Sequence, residues 1–394
     1  MAYSRTPALI VPPSGGFGGL AKPPPPSSVG SLARSAPLVA AKSDSFKVQQ
    51  TWTGVTAPCA WDISSDDLEP VPMDFPLERT HRSIEGVDAT QVAQRISEAL
   101  RSHSIEAKFG KKPAKAKCKT NDLVSFRIRL YAGGDNGLPV IVEVQRRSGS
   151  ASCFMKSCRA ILAAAEGKQE EKRFAPPKSV GQMKCLQAAS LPPLSVAKVS
   201  DEELGRAVAM IRSEQKDTNV LGLESLLSLT DPIKTSLGVA TLVSKCVVLG
   251  DDKFDIRDDI RAFTDRDVFE MEDEDAVQTH ADHVRLLALS VFANALSICS
   301  RDGCLTGAVE EQAWFKEQFM SALVDELKLC ERSACSALQA SRCIGSLLES
   351  STFARKYLIS YGLIQALEDA LSYGKISNDL LAEESDRCLS LLRA

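Results

Sequence analysis

Apolar residues follow two different periods in two parts of the chain, and this change constrains the fold more than any other feature. Val124, Phe126, Ile128 and Leu130 alternate strictly with polar neighbours, whereas from residue 201 to the C-terminus apolar residues recur every three or four positions. A period of two is typical of a half-buried strand and a period of 3.6 of an amphipathic helix. We therefore predict an α+β module followed by an all-α region.

The α+β module has a simple predicted order of elements. Asp88 and Gln91 form a capping-box pattern before a helix over 89–102, and Phe154, Cys158 and Ile161 mark a second helix. Between the two helices the pattern predicts strands over 115–119, 123–131 and 138–145, with turns at 132–137 and 148–150. Two helices on one face of a small antiparallel sheet bury these apolar stripes most economically.

Composition sets the predicted domain boundaries. Residues 1–77 form a Pro/Gly/Ser-rich tail without an acid before Asp44, which predicts disorder. The lack of acids is also typical of an organellar transit peptide, so an organellar location stays an alternative to a cytoplasmic one. We place the α+β module at 78–168, a Lys- and Pro-rich linker at 169–199 and the helical domain at 200–394.

The helical domain is predicted as nine helices with one acidic interruption. Asp231-Pro232 has the pattern of a cap followed by a first-turn proline. Residues 251–275 carry 12 acids, which predicts a solvated insertion. The predicted helices are 201–213, 219–229, 233–249, 281–299, 310–329, 333–349, 352–359, 361–373 and 379–393.

The net charge of −4 hides a strong asymmetry between the two modules. Residues 78–168 carry 17 basic and 9 acidic side chains, and residues 199–394 carry 20 basic and 34 acidic ones. Such a split predicts an anionic partner for the basic module. Two alternatives remain: the halves face each other, or both surfaces are simply solvated.

Catalytic and metal-binding patterns are not evident. Most of the 12 cysteines lie on apolar helical stripes, among them Cys246, Cys299, Cys343 and Cys388, and are expected to be reduced core residues. His280 and His283 lack the H-E-x-x-H arrangement and are expected to be a solvated pair. We therefore predict a protein that is not an enzyme and that uses no metal or cofactor. The longest uncharged apolar run outside the Pro/Gly-rich start, 286–300, is too short to cross a bilayer.

A family resemblance supports the α+β prediction. The run from Val140 to Ser150, with Arg146-Arg147-Ser148-Gly149 at its centre, leads into a helix with an early Phe154. This run resembles the last strand and helix of the kinase-associated domain type 1, found in AMP-activated and microtubule-affinity-regulating kinases. The resemblance covers 80–166 and implies binding to acidic phospholipids or to a kinase assembly. No kinase catalytic motif accompanies it.

A second resemblance concerns the helical domain. The stretch from Phe353 to Leu367 contains Gly362 between two apolar helical patterns, and it is similar to armadillo or HEAT-type helical repeats. This resemblance implies a protein-binding solenoid. A helical bundle without repeats is the alternative.

The alternation also predicts a cationic surface. Lys115, Lys117 and Lys119 lie on one face of their strand, and Arg127 and Arg129 lie on the polar face of the next. If the strands pair, these five cations share one sheet surface. We expect Lys108, Lys111 and Lys112 to join them from the preceding loop. Arg146 and Arg147 complete the predicted anion- or lipid-binding set, and Lys156 and Arg159 are expected to be solvated.

The predicted function is that of a soluble signalling adaptor or scaffold. Its basic module would dock on an anionic phospholipid surface or a kinase assembly, and its acidic helical module would bind a protein. A regulatory kinase-complex subunit without lipid contact is the alternative. Nucleic-acid binding ranks third, because Tyr131 is the only clear aromatic side chain for base stacking. No small-molecule substrate is evident.

Overall fold

The structure is a computed structural model that describes residues 61–74, 76–110, 114–134, 139–168, 201–250, 254–265 and 276–393. Residues 1–60 of the predicted disordered tail, 1–77, and the whole predicted linker, 169–199, lie outside these residues. Trp61 and Ile63 are buried in the core of the α+β module, so that core begins before the predicted boundary at residue 78.

A six-stranded sheet forms the centre of the α+β module. Its main path has the order β2-β6-β5-β4-β3, and all neighbours on this path are antiparallel. β1 pairs in parallel with the end of β5. The strands are β1 (Glu69–Pro70), β2 (His81–Ile84), β3 (Glu106–Gly110), β4 (Lys115–Lys119), β5 (Ser125–Ala132) and β6 (Val140–Ser148).

Two helices cover one face of this sheet, as the sequence pattern predicts. α1 (Ala89–Ser102) begins at Asp88, whose side chain accepts a hydrogen bond from the Gln91 backbone N–H. α2 (Ala151–Ala165) packs against α1 and β6. The alternating apolar residues point toward these helices, with Phe126 against Phe154 at a ring-centroid distance of 6.1 Å.

The turn between β6 and α2 requires a glycine. Gly149 has a φ of +88°, and a Cβ atom there would lie 2.6 Å from the Leu123 carbonyl oxygen. The backbone can therefore reverse close to the β5 strand only without a side chain. Ser150 then caps α2 by accepting a hydrogen bond from the Cys153 N–H.

The second half of the described chain is helical, with 11 α-helices after α2. Consecutive contacts of α4, α7, α10 and α13 form a helical ladder, and α5, α9 and α12 pack against it. The helices are α3 (Asp201–Ile211), α4 (Lys216–Leu229), α5 (Leu237–Leu249), α6 (Arg257–Ala262), α7 (Ala276–Arg301), α8 (Leu305–Glu311), α9 (Met320–Lys328), α10 (Ala334–Ser350), α11 (Thr352–Ser360), α12 (Leu363–Ser377) and α13 (Asp379–Arg393).

Helix α7 is the centre of this ladder. Its stretch His280–Arg301 is long and apolar enough to cross a bilayer, but most of it is buried inside the protein. Neighbouring helices, rather than lipid, cover its apolar side chains: Phe292 packs against Trp314 and Phe319. α7 therefore has the surroundings of a core helix.

Two local predictions for this region were wrong, and one was confirmed. α5 begins after Ser236, not at Pro232, because residues 231–235 form a turn in which the Asp231 carbonyl accepts from Lys234 and Thr235. The predicted helix 310–329 is divided into α8, a π-helical turn at Phe315–Phe319, and α9. Gly362 separates α11 from α12, as expected, with a φ of +92°.

The described part of the acidic stretch is also ordered, contrary to the predicted solvated insertion. Ile256 and Ile260 of the α6 segment are fully buried. The Trp314 indole N–H donates to the Asp258 carboxylate at 2.7 Å, and the Arg212 guanidinium donates to Asp259 at 2.7 Å. Periodic apolar residues therefore anchor this segment despite its high charge.

The α+β module contacts the N-terminal ends of helices in the ladder. The Glu106 carboxylate of β3 accepts hydrogen bonds from the Cys335 backbone N–H at 3.2 Å and the Ser333 hydroxyl at 3.3 Å. These donors belong to the first turn of α10, where backbone N–H groups lack helical partners and a negative charge is stabilising. Glu106 thus caps a helix of the other module.

Helix α13 is capped in the same way. The Ser104 hydroxyl accepts from the Leu380 N–H at 2.8 Å, and its carbonyl accepts from the Asn378 amide at 3.4 Å. Ser104 has a φ of +53°, an uncommon conformation for a residue with a side chain. Arg101 forms an ion pair with Asp379 beside it. We call these contacts of Arg101, Ser104 and Glu106 with α10 and α13 the seam.

We predict that Glu106→Ala lowers the free energy of unfolding of the full chain by about 1–2 kcal/mol. The reason is the loss of a capping carboxylate and of the hydrogen bonds to Ser333 and Cys335. Urea denaturation followed by circular dichroism measures the change. Glu98→Ala, on the exposed side of α1, is the matched control and should change the value by less than about 0.5 kcal/mol. Equal effects of the two substitutions would contradict capping by Glu106.

Candidate anion-binding face

The register of three strands brings cationic side chains together on the sheet face away from α1 and α2. Lys117 of β4 lies directly opposite Arg127 of β5 and opposite Lys108 of β3. Lys115 lies opposite Arg129. Cβ atoms of directly opposite residues are about 5 Å apart, so the predicted sharing of one sheet surface by Lys115, Lys117, Arg127 and Arg129 is correct.

Partial burial, and then repulsion between these charges, lowers the pKa of two of these side chains. Partial desolvation, followed by the charges of Arg127 and Lys117, holds the pKa of Lys115 below its ordinary value. Partial desolvation also lowers the pKa of Arg127, and Arg147 and Arg129 contribute through their charge. Arg147 therefore belongs to the same cluster. We call Lys108, Lys115, Lys117, Arg127 and Arg147 the basic face.

The basic face lacks neutralising carboxylates within the described chain. No ion pair joins Lys108, Lys115, Lys117, Arg127 or Arg147 to an acidic side chain of the described residues. Lys108, Lys117 and Arg147 are exposed, and Lys115 and Arg127 are half-buried. A cluster of like charges that costs folding free energy is a candidate binding surface for an anion.

Lys108 was predicted to enter from a loop, but it lies on β3. The missed strand explains the difference, because Ala107 and Phe109 alternate with it over too few residues to stand out from the sequence. Strand pairing fixes Lys108 beside Lys117. Lys111 and Lys112 lie outside the described residues.

Lys119 is placed apart from the basic face by its contact with the helical region. Its ammonium group donates to the Asp282 carbonyl of α7 at 3.2 Å, and its strand partner on β3 is Glu106. Lys119 is therefore close to the seam. Sequence alternation placed it on the correct strand face but did not reveal this neighbour.

Arg129 belongs to a buried polar network on the same sheet face. Its guanidinium donates to the Tyr131 hydroxyl at 3.1 Å, and Tyr131 lies 3.4 Å from the Glu143 carboxylate. Glu143 is fully buried and also accepts from the Glu78 N–H at 2.7 Å and from the Gln145 amide at 3.0 Å. The sequence did not identify this network, because Glu78 and Glu143 are 65 positions apart and no local pattern joins them.

Arg146 lies on the other side of β6. Its strand partner is Phe126, whose ring is in the core, and its guanidinium donates to the Gly149 carbonyl at 2.8 Å. The pairing of β5 with β6 has a register shift between Ser125 and Phe126, next to Arg146. Lys156 and Arg159 are exposed on α2, as expected, and α2 covers the face of the sheet opposite to the basic face.

Histidine and cysteine residues do not form a metal site in the described part of the chain, where no group of three suitable ligands exists. The expectation of a solvated histidine pair was wrong for His283, which is half-buried beside Lys119. Seven of the ten described cysteines are buried. Burial raises the pKa of the Cys158 and Cys330 thiols to about 11.

Comparisons with known proteins assign no family to this chain. No family model and no curated protein matches the chain. A solved structure described as an engineered protein is 15% identical, covers 48% of this chain and 98% of its own, and has a TM-score of 0.19. At that score the match supports no argument about fold or function.

We predict that the protein loses stability below about pH 6.5 through His283. Burial, and then the charges of Lys119 and His280, lowers the pKa of His283 to about 4. The unfolded chain binds a proton at this residue near pH 6.5, so the free energy of unfolding falls as the pH drops from 6.5 to 4, by at most about 3 kcal/mol. Urea denaturation at pH 7.5, 6 and 5 measures the effect.

His283→Gln should remove this part of the pH dependence. His103→Gln, at an exposed residue after α1, is the matched control and should retain the pH dependence of the parent chain. An unchanged pH dependence in His283→Gln would contradict the assignment to His283.

Proposed function

We propose that this chain is a non-enzymatic adaptor whose basic face docks on an anionic membrane leaflet and whose helical region binds a protein. The observation that carries the proposal is the convergence of five cations from β3, β4, β5 and β6 on one open sheet face. The resemblance of residues 80–166 to the kinase-associated domain type 1 supports the same choice of ligand. The expected location is cytoplasmic, with reversible association at the membrane.

The number of cations is sufficient for reversible docking. Each Lys or Arg near an anionic bilayer contributes about 1 kcal/mol, so five contribute about 5 kcal/mol. This free energy corresponds to an enrichment at the membrane by a factor of about 10³–10⁴. The interaction would weaken with salt, because exposed charges are screened over about 10 Å at 0.1 M.

The acidic balance of the helical region supports a different class of partner there. Residues 199–394 carry 34 acidic and 20 basic side chains, which favours a basic protein surface over a membrane. The successive packing of α4, α7, α10 and α13 supports this choice, because proteins built from stacked helices commonly bind other proteins. We place the protein partner, such as a component of a kinase assembly, on this region.

A regulatory subunit of a kinase complex without lipid contact is the second candidate. The seam favours it, since Arg101 and Asp379 join the basic and the acidic modules directly. The seam nevertheless uses none of the five residues of the basic face. Nucleic-acid binding is a weaker candidate than the sequence alone indicated. Tyr131 is buried and its hydroxyl donates a hydrogen bond to Glu143, so its ring is not presented for base stacking.

We predict that the full chain sediments with vesicles of phosphatidylcholine containing 20% phosphatidylserine and 5% phosphatidylinositol bisphosphate, but not with pure phosphatidylcholine. Lys117→Gln/Arg127→Gln should weaken this binding about thirtyfold, because about 2 kcal/mol of electrostatic attraction is removed. Raising the salt from 50 to 300 mM should weaken the binding of the parent chain.

The matched control is Lys156→Gln/Arg159→Gln, which removes one Lys and one Arg from the opposite side of the module. It should change vesicle binding by less than about threefold. Absence of sedimentation at 50 mM salt would remove the membrane proposal and leave the kinase-complex subunit. Equal losses of vesicle binding in the two double variants would contradict docking through the basic face, because binding would then depend only on the net charge of the chain.

A further inference from the structure

An open groove with three apolar side chains lies between α3 and α4. Met210 of α3 and Leu221 and Leu229 of α4 line it together with five polar residues: Glu203, Arg206, Glu224, Ser225 and Ser228. The groove has a volume of about 510 Å³. Leu221 is 54% exposed, which is unusual for a large aliphatic side chain that lines a concave surface.

The position of the groove in the fold explains why it needs an occupant. α3 packs mainly on α4 and stands at the end of the helical series. In stacked helical proteins the terminal helices require a polar outer face or a cap, because no further repeat covers them. Leu221 of this groove is therefore exposed where a cap is expected, beside the half-buried Met210 and Leu229.

The chain that precedes α3 has the composition of such a cap. Residues 180–199 contain Lys184 and Lys198 but no acid, which complements a groove with two carboxylates, Glu203 and Glu224, and one guanidinium, Arg206. Their large apolar residues are Val180, Met183, Leu186, Leu191, Leu194, Val196 and Val199.

The attachment point also favours this segment. The segment ends at Ser200, directly before α3, and Glu203 of the groove follows only three residues later. Consecutive parts of a chain are usually neighbours in space. A tether this short gives a millimolar effective concentration, which lets even a weak apolar contact form.

We propose that residues 180–199 of this chain occupy the groove between α3 and α4. The contact stabilises α3 and α4. This surface is separate from the basic face, so the inference does not depend on membrane binding.

Limited trypsin digestion of the full chain tests the proposal, with cleavage after Lys184 followed by mass spectrometry. In the parent chain this site should be cut at least about fivefold more slowly than in a synthetic peptide of residues 178–200, because a docked segment must open before cleavage. Leu221→Asp should restore rapid cleavage. Ile364→Asp, at a residue 43% exposed on α12, is the matched control and should leave the rate unchanged.

A second pair of variants keeps the test decisive if Leu221→Asp disturbs folding. Met183→Asp/Leu186→Asp changes only the segment and should increase hydrogen exchange in residues 216–229 severalfold. Phe174→Asp, outside the proposed contact, should have no such effect. Both readouts are independent of vesicle binding.

Three results would overturn the proposal. The first is cleavage after Lys184 as fast in the parent chain as in the peptide. The second is unchanged exchange of α4 in Met183→Asp/Leu186→Asp. The third is a concentration-dependent dimer in light scattering that Leu221→Asp abolishes without changing cleavage, since a second copy of the chain would then occupy the groove.

Discussion

The architecture of this protein depends on carboxylate and hydroxyl groups that one module places at the helix ends of the other. Glu106 receives hydrogen bonds from the first turn of α10, and Ser104 receives one from the first turn of α13. Unpaired N–H groups at these buried ends would be costly, so the contact fixes the orientation of the sheet on the helices. Ser104 adopts a left-handed backbone conformation at this contact, a local strain that the surrounding hydrogen bonds offset.

The strand that supplies the capping residue also carries part of the basic face. Glu106 and Lys108 are two positions apart on β3 and therefore point to the same side of the sheet. The acid is used for an internal contact, whereas the lysine stays exposed next to Lys117. One short strand thus carries both a charge that holds the modules together, on Glu106, and a charge that we propose binds an external anion, on Lys108.

Local patterns predicted the elements well, and long-range contacts account for what they missed. The alternation around Phe126 predicted the cationic strand face, and helical periodicity predicted most helices of the ladder within a few residues. Lys119 was assigned to the basic face because alternation contains no information about Asp282, 163 positions away. Likewise, the role of Glu106 depends on Ser333, 227 positions later in the chain. The turn at Asp231 was mistaken for a helix start, because a proline after an acid fits both structures.

The dependence of α10 and α13 on caps from the sheet has a consequence for the inheritance of the two modules. A helical region cut away from its sheet would retain its apolar core but would lose the side chains that terminate two of its long helices. Such a fragment would unfold more easily than the same helices in the full chain, by about 1–2 kcal/mol for each lost cap. Gene fusion or exon shuffling that separates the two halves would therefore carry a cost in stability.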